Sequence, residues 1–153
     1  SEAQGKLTRW HLNVATGQID RELILDSAAE FPRIDDRFAM DRHRHAFMAT
    51  ASGRQKGDGG LFHEITHRDL DSGQQQSWDV GFGNGVSEPV FVPKPGQGQE
   101  GEGWLLATVF ETERSTSSVV VLDAMALGEG PVATARLDHR VPFGFHGNWR
   151  AAT

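Results

Sequence analysis

Self-similarity at long period constrains this chain more than any single motif does. The stretch Asn13-Val14-Ala15-Thr16-Gly17 is matched by Asp69-Leu70-Asp71-Ser72-Gly73: a polar residue, an apolar one, then a turn closing on glycine. The displacement is 73 − 17 = 56 positions. A weaker third copy is Val121-Leu122-Asp123-Ala124, followed by the turn Gly128-Glu129-Gly130-Pro131 and an apolar strand pattern. A period in the fifties suits a unit of about four short strands, the size of a propeller blade.

The local signals agree. Strand-like runs occur at Ala46-Phe47-Met48-Ala49-Thr50, Trp104 to Phe110, and the β-branched Ser118-Val119-Val120-Val121-Leu122, while helix-length 3.6-residue periodicity is scarce. The 18 glycines sit mainly between these runs, where they mark turns. We therefore expect an all-β chain forming part of a β-propeller. Residues 1–26 read as the end of a preceding blade, 30–80 and 88–138 as two four-stranded blades, and 141–150 as a closing strand. The glycine-rich stretches 53–60 and 97–103 read as blade-edge turns.

Propellers typically close with 4 to 8 blades, so two cannot complete a ring. The hairpin pattern of 7–24 also begins without a covering strand, so further blades are expected upstream. The alternative is a non-catalytic propeller fragment acting as an interaction module, complemented by another polypeptide or by a second copy of itself.

Composition excludes several chemistries. With no cysteine, a transition metal here must be held by histidine or carboxylate. A net charge of −6, with lysine and arginine scattered, provides no basic stripe for nucleic acid. No apolar run approaches the roughly 18 residues of a spanning helix, and the first residues lack the pattern of a signal peptide. The expectation is a cytoplasmic protein, with membrane contact left open.

The first strands of successive units carry Glu30, Glu88 and His146, separated by 88 − 30 = 58 and 146 − 88 = 58 residues. First strands of blades line the central channel, so equivalent positions are expected to face one axis. A neutral imidazole there can donate nitrogen to a divalent metal, and a carboxylate behind a ligand histidine fixes its tautomer and orientation. Histidines on other blades would be the partners of Glu30 and Glu88. The bland reading of each carboxylate is a polar strand-end residue bridging to nearby backbone.

The motifs Glu30-Phe31-Pro32-Arg33-Ile34-Asp35, Ser87-Glu88-Pro89-Val90-Phe91-Val92-Pro93 and Val141-Pro142-Phe143-Gly144-Phe145-His146-Gly147 resemble those of the carotenoid cleavage oxygenases, in the lignostilbene dioxygenase-like and apocarotenoid oxygenase branch. The resemblance maps onto the C-terminal third of a family member. It implies a seven-bladed propeller holding Fe(II) through four histidines, three of them oriented by glutamates, and O2-dependent cleavage of a C=C bond in an apocarotenoid or stilbenoid to give two carbonyl products. His146 matches the last of the four iron ligands, and Glu30 and Glu88 match two of the three orienting glutamates. The implied partners are O2, a hydrophobic conjugated substrate and the N-terminal blades. With one ligand of four, the isolated segment is expected to be inactive.

Other histidines compete weakly. His43 and His45 form an H-x-H pair of zinc-chelating spacing, but lie on a second strand away from the axis. His63 and His67 are four apart, a spacing that shares a face only on a helix. His11 and His139 sit beside turns, where solvation is the simplest reading. Phe143 and Phe145 either line an apolar channel or pack beneath it, and with no tyrosine the segment offers no phenol as acid or base.

Overall fold

The computed structural model describes residues 5–52, 62–96 and 98–151, which form three antiparallel sheets. Strands β1 (Thr8–Asn13) and β2 (Gln18–Leu23) make a hairpin. Strands β3 (Ala28–Arg33), β4 (His45–Ala51), β5 (Glu64–Asp69) and β6 (Gln75–Asp79) form a second sheet whose spatial order equals their chain order. In the third sheet, the short strands β7 (Gly85–Val86) and β8 (Val90–Pro93) both pair with β9 (Gly103–Glu111), which is followed by β10 (Thr116–Asp123) and β11 (Pro131–Arg136). The four-stranded sheet falls within the first expected blade segment, blade one, whereas the sheet of the second, blade two, has five strands and begins at Gly85, because the edge strand is split into β7 and β8, which both pair with β9.

The repeated turns fold alike. In the first, Asn13 Oδ1 accepts the amides of Ala15 and Thr16, and Gly17 adopts φ +72° and donates to the Asn13 carbonyl at 2.8 Å. In the second, Asp69 Oδ1 accepts the amides of Asp71 and Ser72, and Gly73, also at φ +72°, donates to the Asp69 carbonyl at 2.9 Å. A short polar side chain satisfies the turn amides, and glycine takes the left-handed conformation without a Cβ penalty. In the third copy Asp123 Oδ1 likewise accepts the amide of Met125.

Strand β4 shows how the blades pack. Its side chains alternate between two cores: Phe47 and Ala49 enter one with Ile65, Phe91, Leu105 and Leu122, whereas Ala46 and Met48 enter another with Leu25 and Ala29. Blade one is thus clamped between blade two and the segment around β1 and β2. The Phe47 and Phe91 rings stack across the interface with centroids 5.5 Å apart, and full burial of such a side chain stabilises by roughly 1.5–3 kcal/mol. The outermost strand, β11, is exposed along its whole length.

Two expectations are amended. The segment 141–150 is not a strand: the Val141 amide donates to Ser117 Oγ and the Gly147 amide to Glu88 Oε2, so these backbone donors serve side chains rather than a ladder. Of the two expected blade-edge turns, 98–102 is a turn, with Gly101 at φ +81°; 53–60 lies outside the described residues.

Candidate metal centre

Glu88 sits between β7 and β8 on the inner edge of blade two, and its residue is only 5% exposed. The neighbouring Ser87 fixes this corner by donating its amide to the Thr108 carbonyl and accepting the Thr108 amide on its hydroxyl. A carboxylate this buried needs partners, and it has three. Oε1 lies 3.2 Å from His146 Nδ1 and 3.4 Å from Arg33 Nη1, and Oε2 accepts the Gly147 amide at 2.7 Å. Two of the three residues spaced at 58 therefore meet directly.

The contact determines which imidazole nitrogen can act as a ligand. A carboxylate oxygen facing Nδ1 places the ring proton there and leaves Nε2 as a lone-pair donor. The His146 side chain is 75% exposed, whereas the Glu88 side chain behind it is 4% exposed. Phe31 adds a second constraint, its ring meeting the imidazole edge-on with centroids 6.0 Å apart and leaning in turn on Phe62. Phe31 has φ +56°, a left-handed conformation that is an outlier for a bulky residue, at an irregularity in the β3–β4 register between Glu30 and Arg33. Such strain is held where the surroundings over-determine it.

Arg33 is the residue that sequence reasoning missed, although it lies within a quoted motif. Besides pairing with Glu88, it donates to the Gly147 carbonyl at 3.2 Å and reaches Asn148 Oδ1 at 3.5 Å. One guanidinium thus joins the three motifs and offsets the buried Glu88 charge. Its fork of donors in the strand-end position was the available signal.

Glu30 stands apart. Among the described residues its side chain makes no hydrogen bond or ion pair; it is exposed, and its carboxylate lies against Gly5, where a Cβ would come within 2.8 Å of Oε1. No group of three metal-ligating side chains forms around His146 among the described residues.

Beside His146 opens a cavity of about 290 Å³, lined by Val90, Leu106, Phe110, Val119 and Phe143 with Glu88 at its edge. Phe143 and Phe145 are 50% and 79% exposed and both border this cavity, so neither is core. Phe143 packs edge-on against Phe110, and the Arg140 guanidinium lies over both rings.

The other histidines are arranged differently from the H-x-H zinc reading. His43 Nδ1 faces the Asp41 carbonyl, while His45 turns inward and its Nδ1 lies 2.9 Å from His67 Nε2. Burial, then the nearby His45, lowers the His67 pKa to about 4, so it is neutral near pH 7. Beside this pair Asp69 accepts a two-pronged bond from Arg44, which holds its carboxyl well below the usual range.

The sequence matches the retinal pigment epithelial membrane protein family over residues 1–151. It is 31% identical to isoeugenol monooxygenase of Pseudomonas putida and 32% identical to lignostilbene-alpha,beta-dioxygenase isozyme III of Sphingomonas paucimobilis, each alignment covering 99% of this chain and 33% of the relative. A solved structure of a Synechocystis apocarotenoid oxygenase variant superposes with a TM-score of 0.91 at 28% identity, over 97% of this chain and 31% of that one. The chain thus spans about a third of the length of the curated relatives it matches. With its blades superposing on such an oxygenase, this all-β chain, part of a β-propeller, belongs to the retinal pigment epithelial membrane protein family, that of the carotenoid cleavage oxygenases.

Proposed function

We propose that this chain supplies one iron ligand, His146, and two orienting carboxylates, Glu88 and Glu30, to an Fe(II)-dependent oxygenase completed by further blades. The observation that carries this reading is the Glu88–His146 bond of 3.2 Å, which occupies Nδ1 and leaves Nε2 available to a metal. The donor set fits: neutral imidazole suits iron, and a carboxylate behind it is the usual orienting partner. A cobalt-substituted form of the Synechocystis relative accords with a divalent metal. Bound iron would supply O2 activation.

The chain's own residues do the positioning. Glu88 holds the imidazole proton on Nδ1, Arg33 holds the carboxylate in place, and the edge of Phe31 limits ring rotation. Glu30, whose side chain accepts no hydrogen bond among the described residues, is assigned to orient a histidine of another blade. The apolar cavity beside His146 suits a conjugated apocarotenoid or stilbenoid. The overall reaction joins one O2 to the two carbons of a C=C bond and yields two carbonyl products. Isolated, the 153 residues offer one metal donor here and are expected not to turn over.

In the full-length protein, His146→Ala is expected to abolish cleavage and reduce iron content. Glu88→Gln, which keeps shape but removes charge, is expected to lower iron affinity or activity about 10- to 100-fold. Undiminished iron and activity in His146→Ala would overturn the assignment.

A further inference from the structure

A second cluster lies where β5 and β6 of blade one meet. His63 precedes β5, Glu64 begins it and Asp79 ends the neighbouring β6. One ligand atom from each of these residues lies within 4.8 Å of the others. His63 is 1% exposed, and neither ring nitrogen makes a hydrogen bond; Asp79 Oδ2 stands 3.5 Å from Nδ1. A buried imidazole with both nitrogens unsatisfied is unfavourable in water-free surroundings unless something else takes them up.

Glu64 and Asp79 are direct cross-strand partners in the β5–β6 register, so both carboxylates stand beside the His63 ring. Both are held in orientation. Thr50 Oγ1 donates to Glu64 Oε2 at 2.9 Å and Ser52 Oγ reaches both Glu64 oxygens at 2.7 Å. Asp79 Oδ1 accepts the Gly81 amide at 2.7 Å, and Oδ2 lies 3.5 Å from His63 Nδ1. Hydroxyl and amide donors behind a carboxylate are the outer support that metal-ligating carboxylates require.

We propose that His63, Glu64 and Asp79 form a divalent-cation site of the Zn2+ class. One imidazole nitrogen and two carboxylate oxygens are ligands for a borderline cation, whereas calcium takes oxygen alone. The cation satisfies the buried imidazole while taking one oxygen from each carboxylate. Asp79, the exposed member, supplies the adjustment needed to reach bonds of about 2.0–2.2 Å. The site would pin the end of β4 to β5 and β6. His63 also follows Phe62, whose ring supports Phe31 against His146.

The test is zinc titration of the metal-stripped protein by calorimetry, with thermal unfolding in parallel and circular dichroism as the control for folding. The protein is expected to bind one more equivalent of zinc than the Asp79→Asn and His63→Gln variants, and this equivalent is expected to persist in His146→Ala, which separates it from the iron centre. Zinc is expected to raise the melting temperature only where that equivalent binds. Asp79 is on the surface, so Asp79→Asn keeps the test decisive if His63→Gln fails to fold. Equal zinc stoichiometry in the protein and in folded Asp79→Asn would overturn the proposal.

Discussion

His67 ties an acid-sensitive term to one side chain. Its folded pKa of about 4 lies below the ordinary 6.5 because burial, and then the nearby His45, oppose its charged form. Between those values the unfolded chain binds the proton that the folded chain refuses, so stability rises with pH through this window. It is fully present above about 6.5 and lost as pH falls toward 4, by on the order of 3 kcal/mol. Urea unfolding of the protein and of His67→Gln at pH 7 and pH 4.5 checks this: the variant is expected to lose less stability over the interval. Equal losses would assign the acid sensitivity elsewhere. In the sequence, Glu88 and His146 were legible as a pair because equal spacing at equivalent positions of successive units implies convergence. The His45–His67 contact was not, because it joins offset positions on neighbouring strands and depends on their register. Nor was the Arg33 bridge, whose long side chain spans 55 residues to Glu88 and 114 to Gly147 with no periodic marker.

Strand β9 is the central element of blade two, and Gly103 at its start shows how closely it is approached. A Cβ there would lie 2.4 Å from Phe91 Cζ and 2.5 Å from the Val92 carbonyl oxygen. The second contact is backbone and cannot swing aside. Gly103→Ala is therefore expected to destabilise by about 1–3 kcal/mol through overpacking, measured by chemical denaturation. The companion Gly128→Ala, where a Cβ meets nothing within 4 Å, is expected to be near neutral. Equal effects at the two sites would place the cost in glycine chemistry rather than in the approach of β8. The strands themselves were legible to within a few residues, since alternation and glycine turns mark them. Segment 141–150 was misjudged because an extended apolar pattern does not reveal that its amides bond to Ser117 and Glu88 side chains.

At the scale of the molecule, the blades are joined by a shared core rather than placed side by side. Phe47 of β4 is fully buried against Phe91 of β8, so its removal injures both sheets. Phe47→Ala is expected to cost about 3–5 kcal/mol and to move the transitions reported by Trp78 of blade one and Trp104 of blade two together. Separate midpoints would show that the blades fold independently. The order of strands within each blade carries a further consequence, for synthesis. Strands β3 to β6 pair only with their neighbours in the chain, so blade one needs no later residue to complete its hydrogen-bonded ladder. Low contact order of this kind favours rapid formation, and domains fold N-terminal first as the ribosome releases them. By the time Asp79 leaves the exit tunnel blade one has its full set of strand partners, and Phe47 offers its exposed face to a Phe91 that has yet to emerge.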